Sequence, residues 1–228
     1  MINEELIQRS SNDVVTHPVY KHFESHGRSY GIDQHGVIHQ LDAKPYVYDA
    51  GYVATYDTEA YRRDNDKLQA LRLGFIIGAH GSIPHSICDV GYGNGAFLKA
   101  ASIIQVRYGK DVTGVEVEGV ELTDKYPPCD VITFHDCLEH IPDLSFVKDL
   151  RCKTLIVSLP WCHRTGEWFD EDYKHRKPDE HLHHFNFQSL ARFMDSMGWK
   201  YTAVSSHEDI VRRSTHGQSN ILTMAFKR

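Results

Sequence analysis

Apolar and polar residues alternate along Tyr30-Gly31-Ile32-Asp33 and again along Val37-Ile38-His39-Gln40-Leu41, with Gln34-His35-Gly36 between them as a turn. A period of two puts alternate side chains on one face, so this spacing predicts a β-hairpin within an N-terminal extension over residues 1–55. From Asp57-Thr58-Glu59 the period lengthens. Tyr61, Leu68, Leu71, Leu73, Phe75 and Ile76 recur at helical intervals, with Gly78 and Gly81 as stops, and predict a long helix beside a sheet. Strand-like and helix-like stretches then succeed one another: strand 86–90, helix 94–106, strands 111–117 and 129–134, helix 144–150, strand 154–159. Such alternation requires parallel strands joined by crossover helices. After a charged loop, Phe187 to Met197 reads as a helix ended by Gly198, and 200–206 and 221–227 read as two terminal strands. The expected fold is α/β: a Rossmann-like, mostly parallel sheet with helices on both faces and an antiparallel C-terminal edge strand. It occupies residues 56–228, and no Pro/Gly/Ser-rich linker sets the extension apart.

The sharpest local signal lies at the end of the first of these strands. Ile87-Cys88-Asp89-Val90 runs into Gly91-Tyr92-Gly93-Asn94-Gly95 and then into a helical pattern. Glycines Gly91, Gly93 and Gly95 allow a tight turn and let a ligand lie against bare backbone, while the helix start offers N–H groups to an anion. About 20 residues further on, Glu116 at the end of the predicted second strand is placed to accept hydrogen bonds from a ribose diol. Together they describe a site for an adenosine-type cofactor. The loop also satisfies the nicotinamide-dinucleotide fingerprint, with Ala96 as its last member. Asp89 tips the balance, because a strand covered on both faces seldom carries a carboxylate without a task.

The arrangement Asp89-x-Gly91-x-Gly93-x-Gly95 resembles motif I of the class I S-adenosylmethionine-dependent methyltransferases. Two further segments extend the resemblance in order along the chain. Asp130-Val131-Ile132 leading to Leu138-Glu139-His140-Ile141-Pro142-Asp143 is similar to the segment after strand 4 in small-molecule methyltransferases related to the ubiquinone-biosynthesis and sugar C-methylating enzymes. Glu180-His181-Leu182-His183-His184-Phe185, with Ser189-Leu190, resembles the element after strand 5 in the same enzymes. The resemblance implies that residues 56–228 form a class I methyltransferase domain. It further implies that Asp89 organises the loop and the methionine end of the cofactor, that His135 and Asp136 border that end, and that Glu139 and His140 begin a supporting helix. One departure stands out. Residues 117–129 are too few for the usual helix and third strand, so the adenine contacts cannot be assigned, although Gly119 to Leu122 offers a brief strand.

Charge and composition narrow the partners. Twenty-five Lys and Arg against 31 Asp and Glu give a net charge of −6, which argues against a broad hold on nucleic acid. Tyr126-Pro127-Pro128-Cys129 precedes its strand, where a base-flipping tetrad would follow one, and this disfavours DNA methylation. No apolar stretch is long enough for a membrane helix and the first residues lack the core of a secretory signal, so the expected setting is cytoplasmic, with a homodimer compatible. Five scattered cysteines without a CxxC pair fit reduced thiols rather than a disulfide framework or zinc ribbon. Sixteen histidines raise a metal hypothesis, centred on His181, His183 and His184 with His163, His175, Asp179 and Glu180. No HExxH or other metal-spaced set is present, and no metal is expected.

The expected function is S-adenosylmethionine-dependent methyl transfer to a small-molecule acceptor at oxygen, nitrogen or carbon. Displacement at a sulfonium carbon needs little beyond alignment, and a base matters only for an acceptor that carries a proton. His140, His163 and His184 are the candidate bases. The loop Trp161 to Arg176 mixes aromatic and charged residues as a substrate-contacting lid would. Two rival readings stand beside this one: a nicotinamide-dependent oxidoreductase, and a methyltransferase-like binding or assembly protein without turnover.

Overall fold

Strands β4 (Ser86–Val90), β7 (Cys129–His135) and β8 (Cys152–Pro160) carry near-continuous runs of Val, Ile, Leu and Phe, a composition that suits strands covered on both faces. In the computed structural model, which describes residues 18–48, 64–213 and 217–228, they pair in parallel at the centre of a seven-stranded sheet. The strand order is β10-β11-β8-β7-β4-β5-β6, with β5 at Val106–Lys110, β6 at Glu121–Leu122, β10 at Lys200–Ser205 and β11 at Ile221–Lys227. Strand β11 runs antiparallel to both neighbours, β8 and β10, and so lies one place in from the edge. Helix α1 (Asn65–His80) is closed by Gly81 in a left-handed conformation; Gly78 lies inside it, and the part of the helix expected before residue 64 falls outside the described residues. Helices α2 (Ala96–Ala100), α3 (Glu167–Glu171), α4 (Phe187–Ser196) and α5 (Asp209–Arg212) complete the described set. Asn186 begins α4 with a capping box, its side chain accepting from the Ser189 N–H while the Ser189 hydroxyl accepts from the Asn186 N–H.

Three expectations shift in detail. The second strand lies at Val106–Lys110, not 111–117, because Gly114, inside that stretch, holds a positive φ of 64° that breaks an extended run. Gly109 admits this register: a Cβ there would come 2.8 Å from the ring of Tyr92. The helix before it is correspondingly short and ends at Ala100. The helix expected over 144–150 is a 3₁₀ helix over Ser145–Asp149. The brief third strand forms at Glu121–Leu122 and pairs in parallel with Tyr108 and Gly109.

A second sheet of four strands, in the order β1-β2-β3-β9, packs beside the first. Strands β1 (Val19–Ser25), β2 (Arg28–Asp33) and β3 (Ile38–Gln40) come from the N-terminal region, and the β2–β3 turn is fixed by Asp33, whose carboxylate accepts the N–H groups of His35 and Val37. Strand β9 (His183–His184) comes from the segment after β8 and pairs antiparallel with β3, so the extension shares its sheet with the larger unit. The loop after β8 folds over this joint. Phe169 is fully buried between Phe23, Tyr30 and Tyr173. Among the described residues, no helix is long and apolar enough to cross a membrane, and the five cysteines are unpaired.

Candidate functional site

The carboxyl ends of β4 and β7 meet at the glycine loop. Gly91, Gly93 and Gly95 take φ values of 74°, 56° and 74°, a region that strains any residue with a Cβ. Two of the three are also held by contact: a Cβ on Gly91 would lie 2.5 Å from the Cys137 sulfur, and one on Gly95 2.3 Å from Val117. At Gly93 a Cβ would meet nothing within 4 Å, so this peptide faces open space. Asp89 is buried beneath the loop, where its carboxylate accepts from the Thr133 hydroxyl at 2.7 Å and lies 3.3 Å from His135 Nδ1. The His135 ring packs on Phe97. Asp89 and His135 therefore come together as a support beneath the loop.

Glu116 does not join them. With β5 ending at Lys110, Glu116 lies exposed in the following loop, and the acid at the strand end is Asp111. Asp111 Oδ2 accepts the Gly93 N–H at 2.9 Å, and its Oδ1 accepts from the backbone and hydroxyl of Thr113. Sequence reading missed Asp111 because it assigned that residue to the start of a strand. Asp136 stands at the end of β7 with a positive φ of 50°. Arg212 and Arg72 contact its carboxylate at 2.6 and 3.1 Å. Burial raises the carboxyl, but the two guanidiniums outweigh it and hold Asp136 below its usual value. Glu208, fully buried, completes this network by accepting from Arg72, Arg212 and the Ser158 hydroxyl. Neither Glu208 nor Arg212 carried a sequence signal, since both belong to a short polar stretch between the last two strands.

The three candidate bases have separate surroundings. His140 Nδ1 lies 2.8 Å from the Tyr48 hydroxyl, and burial pushes its imidazole down to about 4. His163 stacks on Trp161 and donates from Nε2 to the Ser219 carbonyl at 2.6 Å. His184 is buried against Tyr30, Phe169 and Tyr173 with neither ring nitrogen hydrogen-bonded, and burial, with His39 next, pushes it down to about 3. His163 and His184 both line a cleft of about 440 Å³ with Ile38, Cys162, Arg164 and Thr165. His140 is not among its lining residues.

The histidines of the Glu180–Phe185 segment diverge. His183 turns to His39 (Nδ1 to Nδ1, 2.7 Å) and donates from Nε2 to the Ile141 carbonyl, while His184 turns to the aromatic cluster. His181, which precedes β9 and escapes its alternation, faces His140 with ring centroids 4.7 Å apart. Beside them lies Glu139, on the 3₁₀ turn Leu138–His140 where a longer supporting helix was expected. Its side chain is buried, neither carboxyl oxygen has a hydrogen-bond partner, and burial followed by Asp136 raises it well above the usual carboxylate range.

No protein-family model matches the chain, and no curated protein does. Solved structures do match. An S-adenosylmethionine-dependent methyltransferase from Clostridium acetobutylicum ATCC 824 aligns with 78% of this chain and 97% of its own, at 11% identity and a TM-score of 0.55. The magnesium protoporphyrin IX methyltransferase of Synechocystis PCC 6803, solved with bound SAH, aligns over 82% and 90% at 14% identity and 0.51. The plantazolicin methyltransferase BpumL, in complex with a triazolic desmethylPZN analog and SAH, aligns over 78% and 89% at 11% identity and 0.50. The fold is thus the class I methyltransferase fold. Its sheet order also separates it from the dinucleotide-binding order 3-2-1-4-5-6, which has no antiparallel strand between the fifth and the last.

Proposed function

We propose that the chain transfers a methyl group from S-adenosylmethionine to a small-molecule acceptor at oxygen, nitrogen or carbon. The observation that carries this reading is the turn of three left-handed glycines at the carboxyl end of β4, in a sheet that inserts an antiparallel β11 between β8 and β10. Cofactors of open α/β sheets sit beyond the carboxyl ends of the strands, where this turn lies. S-adenosylmethionine supplies a methyl group already activated by the sulfonium charge. The protein then has to bind, align and exclude water.

Individual residues fit that task. Asp89, tied to Thr133, fixes the base of the loop, and the open face of Gly93 leaves room for a ligand against the backbone. Asp111 replaces Glu116 as the proposed ribose acceptor, being the carboxylate at the strand end and beside Gly93. His135 and Asp136 border the methionine end, with Asp136 held in place by Arg72 and Arg212. The acceptor occupies the cleft lined by His163 and His184, which are its candidate bases; His140 does not line that cleft and is set aside. In this reading residues 1–55 are the extension and 56–228 the catalytic domain.

Titration calorimetry of the full chain with S-adenosylmethionine and S-adenosylhomocysteine tests the proposal. Both should bind, and Asp111→Ala should weaken them by about 10- to 100-fold, the worth of hydrogen bonds to a charged group, while Glu116→Ala leaves affinity within about twofold. The reverse order of effects returns the ribose to Glu116. Binding of a nicotinamide dinucleotide in place of either ligand would mark the chain as an oxidoreductase, and binding of none would leave it an assembly protein.

A further inference from the structure

Outside the glycine loop, Glu139, His140 and His181 form a cluster that neither the methyl-transfer chemistry nor the packing explains. One ligand atom from each, a carboxyl oxygen and two imidazole nitrogens, lies within 4.8 Å of the others. Glu139 is 1% exposed, and both of its oxygens lack a hydrogen-bond partner. A carboxyl group buried without donors is costly unless something shares its charge. The only basic group within ion-pair distance of it among the described residues is His140, whose Nε2 stands 3.8 Å from Oε1, too far for a hydrogen bond.

The two imidazoles are already oriented. His181 donates from Nδ1 to the His175 carbonyl at 2.7 Å, which leaves the Nε2 lone pair free to bind. The Tyr48 hydroxyl donates to the Glu180 carbonyl at 3.5 Å and so can accept from His140 Nδ1 at 2.8 Å, again leaving Nε2 with its lone pair. Both Nδ1 atoms are thus spent on outer partners, the arrangement by which proteins fix the tautomer of a metal-binding histidine. Four tetrahedral donors at about 2.1 Å from a metal sit about 3.4 Å apart, so a shift of about 1 Å in these side chains closes them on an ion.

We propose that Glu139, His140 and His181 bind one divalent first-row transition-metal ion, of the zinc, cobalt or iron(II) type. Two imidazoles and one carboxylate select such ions over magnesium or calcium, which prefer oxygen donors throughout. Three protein ligands also leave a coordination position open, as in sites that bind a further small ligand. Asp136, three residues before Glu139, is not a ligand, because its carboxylate is committed to Arg72 and Arg212.

The test strips the full chain with a chelator, reloads it with zinc chloride or cobalt(II) chloride, desalts it and measures metal per protein. The expected result is about one ion per wild-type chain, at least tenfold weaker binding in Glu139→Gln and His181→Asn, and weaker binding by about 10- to 100-fold in Tyr48→Phe, which removes the outer partner of His140 and leaves all three ligands in place. His85→Ala, an exposed histidine away from the cluster, should bind as the wild type does. A wild-type chain that keeps neither ion overturns the site, and so does equal retention in Glu139→Gln and His181→Asn, which would place the ion elsewhere. Should those two variants fail to fold by circular dichroism, magnetic resonance of the wild-type cobalt adduct decides: coordination by two imidazole nitrogens supports the site, and coordination without them rejects it.

Discussion

A glycine can be required by its own dihedral angle or by its neighbour, and the loop after β4 shows both. Gly91 and Gly95 combine a positive φ with a side chain pressed against the missing Cβ, Cys137 in one case and Val117 in the other. Replacement of Gly91 by Ala should therefore cost about 2–4 kcal/mol, the sum of overpacking and left-handed strain. Adding Cys137→Ala should return the overpacking part, and urea denaturation of the four proteins in the cycle measures it. No recovery would mean the backbone alone sets the cost. At this scale the sequence was legible where conformation and chemistry coincide. Three glycines led by Asp89 read as a tight strand-to-helix turn because few other demands produce that spacing, and all three take positive φ values. It was illegible at the end of the second strand, which closes at Lys110 beside Asp111 and not at Glu116.

Most elements follow from their own residues, and the departures arise where a glycine or a tertiary contact overrides the pattern. Strand β5 was displaced because Val112 to Val117 looked extended in sequence, while Gly114 turns the chain and Val112 is left 82% exposed. Strand β9 was invisible because two histidines carry no strand signal and gain it only by pairing with β3. The short helix α5 was missed for a related reason: its purpose is ionic. Glu208, just before it, is buried against Arg72 of α1 at 2.9 Å and so ties the end of the sheet to the first described helix. Removing one partner of a buried pair leaves the other charge stranded, so Glu208→Gln should destabilise the protein by about 3–5 kcal/mol. Denaturant midpoints would show this, and a change under 1 kcal/mol would mean that Asp136 alone satisfies Arg72.

For the molecule as a whole, buried histidines set the response to acid. His184 is pushed down to about 3 by burial, and His207, stacked on Phe75 with no hydrogen bond to its ring, is also lowered by burial. Both bind protons more weakly when folded than when unfolded. Their contribution is complete above about pH 6.5 and is lost as pH falls from there toward the folded values, with each such group adding a slope of up to about 1.4 kcal/mol per pH unit. The melting temperature should fall steeply between pH 6.5 and 5, whereas a flat profile there would show that these rings charge freely in the folded state. The two-sheet architecture also governs how the chain reaches that state. Strand β3 lies near the N-terminus, yet the partner for its outer edge is β9, and the hydrogen bond from His39 to His183 spans 144 residues. During synthesis the first three strands must wait with an unpaired edge until His183 and His184 have emerged. Such an edge is an invitation to the wrong neighbour, so refolding should be slow and its yield should fall as protein concentration rises.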